Sequence, residues 1–205
     1  FTDNIIQREW PGFRAQKEFA RQQGTGEWSL LIDADEEVSP ELKAEILLAL
    51  QGGQAVGYTV PRLVFFLGRW IRHGDWYPDR KLRLYRTAAG EVKGIDPHDY
   101  VEVEGPVGKL NHPLFHYTYD DIAHHIRTSN TFTSILAREM HQRGKRFSYI
   151  DLLFRPGWKF LRGYLFKAGF LDGFAGLAIA LVSAFSTCEK YLKLHELQRT
   201  ANKKA

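Results

Sequence analysis

One stretch constrains this chain more than any other, an apolar run that ends abruptly in carboxylates: Trp28-Ser29-Leu30-Leu31-Ile32, then Asp33-Ala34-Asp35-Glu36-Glu37, then Val38-Ser39-Pro40-Glu41-Leu42. The run from Trp28 to Ile32 has the length and composition of a buried strand. Ser39 followed by Pro40 and Glu41 marks an N-cap with proline in the first turn, opening an amphipathic helix to about Leu50. The order is strand, acidic loop, helix. Asp33 and Asp35 alternate across Ala34, so in an extended segment both side chains leave the same face at the carboxyl end of a strand, where open α/β sheets place their ligands. Two carboxylates this close repel each other unless a positive group lies between them. A hard divalent cation, Mg²⁺ or Mn²⁺, itself carrying a phosphate, meets that need. The other reading is a solvated acidic turn in which Glu36, Glu37 and Glu41 favour the N-terminus of the following helix through its dipole.

At 205 residues the chain can bury one full core, or one core with a helical appendage. Its hydrophobic and charged contents are those of a globular protein, and only residues 200–205 read as disordered. The net charge of +4 fits an anionic membrane surface or a phosphorylated substrate as well as nucleic acid. The basic residues are scattered among carboxylates and form no nucleic-acid motif, so nucleic acid is not an expected partner. Cys188 is the single cysteine, which excludes an internal disulfide and points to a reducing compartment. The chain opens on Phe-Thr-Asp with no positive-then-apolar leader, so no signal peptide is expected in it.

Along the rest of the chain, a short strand-like piece surrounds Ile5 and Ile6, and Phe13 to Gln23 has helical spacing. Val56 to Phe66 reads as a strand or a pair of strands. The segment from Gly68 to Arg80 is dense in aromatics, arginines and turn formers; Trp76 and Tyr77 suit stacking on a sugar ring, and the arginines suit pairing with phosphate. An ordinary hairpin with its aromatics turned into the core reads equally well. In Lys81 to Arg86, alternation puts Leu82 and Leu84 on one face and Lys81, Arg83 and Tyr85 on the other. Arg80, Lys81 and Arg83 are candidates to offset the charge of a diphosphate, or else the wet face of an edge strand. His112 and His116 stand four apart, but Pro113 intervenes and a helical zinc pair is not expected.

Residues 120–144 carry a broken helical stripe, with His124 and His125 expected to face solvent. Residues 149–170 mix large apolar side chains with Arg155, Lys159 and Arg162 on one helical face, the composition of a segment lying in a membrane interface. Residues 173–188 have no charge at all, a run shorter than the roughly 20 residues that cross a bilayer. A re-entrant or surface-embedded helix, or one packed on the core, is expected there, followed by a charged helix over 189–198. A helical pair that dimerises or covers the sheet is the alternative.

Taken together, several of these segments resemble family 2 glycosyltransferases. WSLLIDADEEVSPEL is similar to the segment in which that family's Asp-x-Asp pair ends a strand. WPGFRAQKEFA, FFLGRWIRHGDWYPDRKLRLYR, the His98-Asp99 step and GFLDGFAGLAIALVSAFSTCEKYLKLHE resemble its lipopolysaccharide-core branch, the β-1,4-glucosyltransferase-like proteins. The resemblance covers nearly the whole chain. It implies an A-type nucleotide-sugar glycosyltransferase fold, Rossmann-like α/β with a mixed sheet, over residues 1–119, with a helical, membrane-associating region over 120–205. It also implies that an N-terminal part of the domain, which supplies most contacts to the nucleotide base, lies outside this sequence.

The activity implied is inverting transfer of a hexose, with glucose expected, from a nucleotide-diphosphate sugar to a lipid-linked saccharide, a lipopolysaccharide inner-core sugar. Asp33 and Asp35 would hold Mg²⁺ or Mn²⁺. Arg80, Arg83 and His116 would serve the donor diphosphate, and Trp76, Tyr77 and His98 the sugar or acceptor. Arg14, Gln16 and Lys17 would approach the donor. Where the family has a His-Glu step this chain has His98-Asp99, so Asp99 becomes the candidate base on a shorter arm, with Asp96 as its competitor. The implied location is the cytoplasmic face of a bacterial inner membrane, held peripherally. A polyprenyl-phosphate lipid acceptor and a non-catalytic membrane-docking module are the alternatives.

Overall fold

A computed structural model describes residues 4–52, 54–95 and 98–202. Helix α1 (Phe13–Gln22) precedes strand β1 (Trp28–Leu30), strand β2 (Glu36–Val38) and helix α2 (Pro40–Gly52). Strands β3 (Gly57–Phe66), β4 (Arg69–Ile71), β5 (Asp79–Arg86), β6 (Gly90–Ile95), β7 (His98–Val103), β8 (Val107–Lys109) and β9 (Leu114–His116) follow. Helices α3 (Ile122–Gln142), α4 (Tyr149–Leu161) and α5 (Gly173–Asn202) complete the described chain. Parallel and antiparallel pairings occur together, so the fold is α/β with a mixed sheet and a helical C-terminal region, as expected. Ile5 and Ile6 are exposed and form no strand.

The chain makes two compact units, one of residues 1–31, 53–59 and 81–109, the other of 32–52, 60–80 and 110–205. In the first, β1 runs antiparallel to β5 with Leu30 opposite Leu84, and β6 pairs antiparallel with β7, Gly94 opposite Asp99. Tyr85, Val92 and Val101 make its core. Arg83, Leu84 and Tyr85 are consecutive and all buried, so β5 is covered on both faces here and Arg83 does not lie on the wet face of an edge strand, one of the two readings given for it. Helix α1 is tied on through Glu18, whose carboxylate accepts from Arg21 and from the Val92 N–H. The Arg21 guanidinium holds the Glu18 pKa down to about 2.

In the second unit β9 lies parallel to β3, with Leu114 opposite Arg62, and antiparallel to β2, with Glu36 opposite His116. The acidic run expected as a loop thus contains a strand. Ser39 caps α2 as expected, its Oγ accepting from the Leu42 N–H at 3.1 Å. The reversal from β3 to β4 uses Leu67 and Gly68, both at positive φ, the backbone of a two-residue hairpin turn.

Helix α5 is a single helix of 30 residues, where an apolar stretch and a separate charged helix were expected. By length and composition it is apolar enough to cross a membrane, and 44% of its most apolar window is buried inside the protein. Ala175 and Ile179 pack against Val64, Phe66 and Ile71, while Tyr191 and Leu194 form a further cluster with Ala137 of α3. His125 is buried, contrary to its expected exposure; its ring stacks on Tyr119 at 4.6 Å and meets Trp76 edge-on. Burial lowers its pKa to about 4.

Two outcomes follow from this packing. A Cβ at Gly176 would stand 1.9 Å from the Gly169 carbonyl oxygen. Gly176→Ala should therefore cost about 1–3 kcal/mol and lower the melting temperature by several degrees in calorimetry. Gly157→Ala, with nothing within 4 Å, should not lower it. His125 carries a depressed pKa in the folded state, so the unfolded chain takes up its proton first and stability falls as pH drops from the ordinary histidine range toward about 4. In urea titrations between those limits, His125→Leu should lose less stability than the wild type, and parallel curves would contradict this.

Candidate active site

The acidic segment is built as a closed turn. The Glu36 N–H donates to the Asp33 carbonyl at 3.0 Å, and the Asp33 N–H donates to Glu36 Oε2 at 2.9 Å. Ala34 and Asp35 occupy the turn, so the extended geometry expected around Ala34 is replaced by a tighter one. The Tyr117 N–H donates to the Asp35 carbonyl at 2.9 Å, and His116 Nε2 lies 3.1 Å from Asp35 Oδ2. His116 holds the Asp35 carboxyl below the usual carboxylate range, against opposing contributions from burial and from the charge of Asp33. His116 is thus brought against Asp35, with the charge of Asp33 within electrostatic reach. Nδ1 of His116 is buried with no hydrogen-bond partner among the described residues. A neutral His116 therefore carries its proton on Nε2, directed at Asp35, because a proton on Nδ1 would be buried without an acceptor.

Beneath this turn is a charge network that sequence reasoning missed. The Glu36 side chain is wholly buried and pairs with Arg62 at 3.3 Å. Arg62 Nε also donates to Asp79 at 3.0 Å, with a second, shorter contact from Nη2. Burial disfavours the guanidinium charge, but Asp79 and Glu36 more than offset it and raise its pKa. The available signal was an arginine inside an apolar strand, Val60-Pro61-Arg62-Leu63-Val64, since a charge placed there requires a carboxylate partner.

The loop from Gly68 to Arg80 is fastened to the C-terminal helices. Asp172 is buried and accepts from the backbone N–H groups of Arg72 and His73 at 3.1 and 2.8 Å. Asp75 is paired with Lys159, Arg162 and Lys167, three cations that hold its carboxyl far below the usual range although its burial opposes them. Trp76 is half-buried, with its ring against Phe66, Tyr119 and His125, so it packs against the core cluster. Tyr77 beside it is half-buried. Arg80 is exposed, with Nη1 donating to the Leu110 carbonyl at 2.7 Å.

In the first unit Arg83 is buried in β5, its carbonyl accepting from the Leu31 N–H. The Asp99 side chain on β7 is only 5% exposed and its Oδ2 lies 3.0 Å from Lys17 Nζ of α1. His98 precedes it in β7; its side chain, like Asp96, lies outside the described residues.

This turn, network and paired aspartate belong to a chain with clear relatives. No family model matches the sequence. It is 31% identical over 202 residues to the lipopolysaccharide core biosynthesis glycosyltransferase LpsC of Rhizobium meliloti, covering 94% of this chain and 74% of that protein. The chain belongs to this glycosyltransferase family. Uncharacterized glycosyltransferases of Rickettsia typhi and Rickettsia prowazekii are 27% and 26% identical to it, each across 94% of the chain and 70% of the relative. In this glycosyltransferase, Arg62→Met would leave Glu36 buried without its cation, a loss expected to cost about 3–5 kcal/mol. Restoring neutrality with Glu36→Gln in the same chain should recover part of it. A urea double-mutant cycle checks this, and additive losses would remove the coupling.

Proposed function

We propose that this glycosyltransferase moves a hexose, glucose being the expected one, from a nucleotide-diphosphate sugar to a hydroxyl of a lipid-linked lipopolysaccharide inner-core sugar, with inversion. The observation that carries the reading is the acidic turn, in which Asp33 and Asp35 lie within electrostatic reach and His116 fixes Asp35. Such a pair of carboxylates fits a hard divalent cation. Among the described residues no three His, Cys, Asp or Glu side chains gather to enclose an ion. A cation held by Asp33 and Asp35 would therefore complete its shell from donor phosphate and water, as Mg²⁺ commonly does and Mn²⁺ also allows. His116 serves better as the partner that orients Asp35 than as a ligand itself, because an Nε2 bound to metal would leave the Nδ1 proton buried without an acceptor.

When bound, the cation supplies neutralisation of the departing diphosphate. The chain's own residues do the rest. In the transfer, the acceptor oxygen bonds to the anomeric carbon as the bond from that carbon to the diphosphate oxygen breaks. The acceptor proton passes to the Asp99 carboxylate, which Lys17 holds in orientation. Arg80 is the exposed arginine available to the phosphates, whereas the burial of Arg83 suits it to supporting β5. The aromatic and basic composition of the C-terminal region is compatible with an acceptor carried on lipid, so a polyprenyl-phosphate acceptor belongs in the same screen.

Donor turnover tests the reading. Activity should vanish in EDTA and return with Mn²⁺ or Mg²⁺, and Asp35→Asn and Asp99→Asn should each lose about 10²-fold or more in kcat while still folded. Metal-independent turnover untouched by Asp35→Asn would reduce the acidic turn to a structural element. Full activity in Asp99→Asn would move the base elsewhere.

A further inference from the structure

Helix α4 is amphipathic with its apolar side turned outward. Ile150, Leu153, Phe154, Trp158 and Leu161 recur at helical spacing and are all exposed, Phe154 to 70%. The outward face continues past the helix through Phe166, 71% exposed, and on to Phe170 and Phe174. The polar groups occupy the flank instead, where Asp151 pairs with Lys145 and Arg155, and Asp75 pairs with Lys159, Arg162 and Lys167. A helix of a water-soluble surface is patterned the other way round, and an outward apolar face of this extent marks a contact surface.

Charge decides what the face meets. Five cations share two carboxylates beside it, and all five remain partly exposed. A second copy docking through the same face would bring that positive surplus against its own image. Anionic headgroups complement it, and large aliphatic side chains with tryptophan, bordered by lysine and arginine, are what partitions at the boundary of headgroups and acyl chains. The 13 residues of α4 make about 20 Å of helix, short of the roughly 30 Å hydrocarbon core, so α4 cannot span.

We propose that α4 and the turn after it lie in the surface of an anionic phospholipid bilayer, with Phe154, Trp158 and Phe166 in the apolar boundary and Arg155, Lys159, Arg162 and Lys167 among the lipid phosphates. The inference does not depend on the sugar-transfer reading, since it rests on this face alone. Flotation of the full chain with vesicles of phosphatidylcholine, with and without phosphatidylglycerol, tests it. Binding is expected to the anionic vesicles and to weaken with salt. The exposed double substitution Phe154→Ser/Phe166→Ser should reduce it at least about tenfold without changing the melting temperature. As an independent readout, brominated acyl chains should quench tryptophan fluorescence in the wild type and much less in Trp158→Phe. Equal binding to neutral and anionic vesicles, or binding that survives the double substitution, would overturn the proposal. So would a concentration-dependent dimer in light scattering that the double substitution dissolves, which would assign the face to a second copy.

Discussion

The arrangement of the acidic turn depends on one half-buried guanidinium. Arg62 stands in β3 with Glu36 on one side and Asp79 on the other, and Glu36 in turn accepts the backbone N–H of Asp33. Removing Glu36 from water would be prohibitive without that cation, and with it the carboxylate becomes a fixed internal acceptor around which the turn closes. The two aspartates proposed to meet the cation are thus carried on a backbone pinned from beneath, while His116 on β9 fixes Asp35 from the side. Preorganisation of this kind matters in a site whose work is electrostatic, because charges already held in place need not reorganise during the reaction.

A second set of charges organises the helical region. Asp172 accepts from the backbone of Arg72 and His73, and Asp75 gathers three cations from α4 and the turn that follows. Close glycine contacts, Gly176 against Gly169 above all, let α5 approach the turn before it. These fastenings hold the aromatic-rich loop in the same unit as the helices, and they leave the apolar side of α4 with nothing of the described chain upon it.

Local features were legible from the residues. Ser39 and Pro40 announced the start of α2, the stripe over 120–144 announced α3, and the spaced segments announced the glycosyltransferase family that the comparison with LpsC establishes. Contacts remote in sequence were not legible. Glu36 among three other carboxylates reads as solvated, and its burial follows only from Arg62, far along the chain. His125 beside His124 reads as surface until Tyr119 and Trp76 close over it. Trp76 reads as an open platform or a core residue with equal force, and its ring contacts place it, half-buried, against the core cluster.

By itself the sequence determined the α/β class, the capped start of α2, and a C-terminal region rich in aromatics and cations, because periodicity, capping and composition act over a few neighbouring residues. The buried strand expected over 28–32 is instead the half-buried β1, which ends at Leu30 before the acidic turn, with Ile32 exposed. The tertiary structure decided which charges are buried and which faces stay open. It turned an acidic loop into a stapled turn with a strand, withdrew Arg83 and His125 from solvent, and set the apolar side of α4 outward. Burial and exposure are properties of what packs across from a residue, and for these residues the partner lies on another element of the chain.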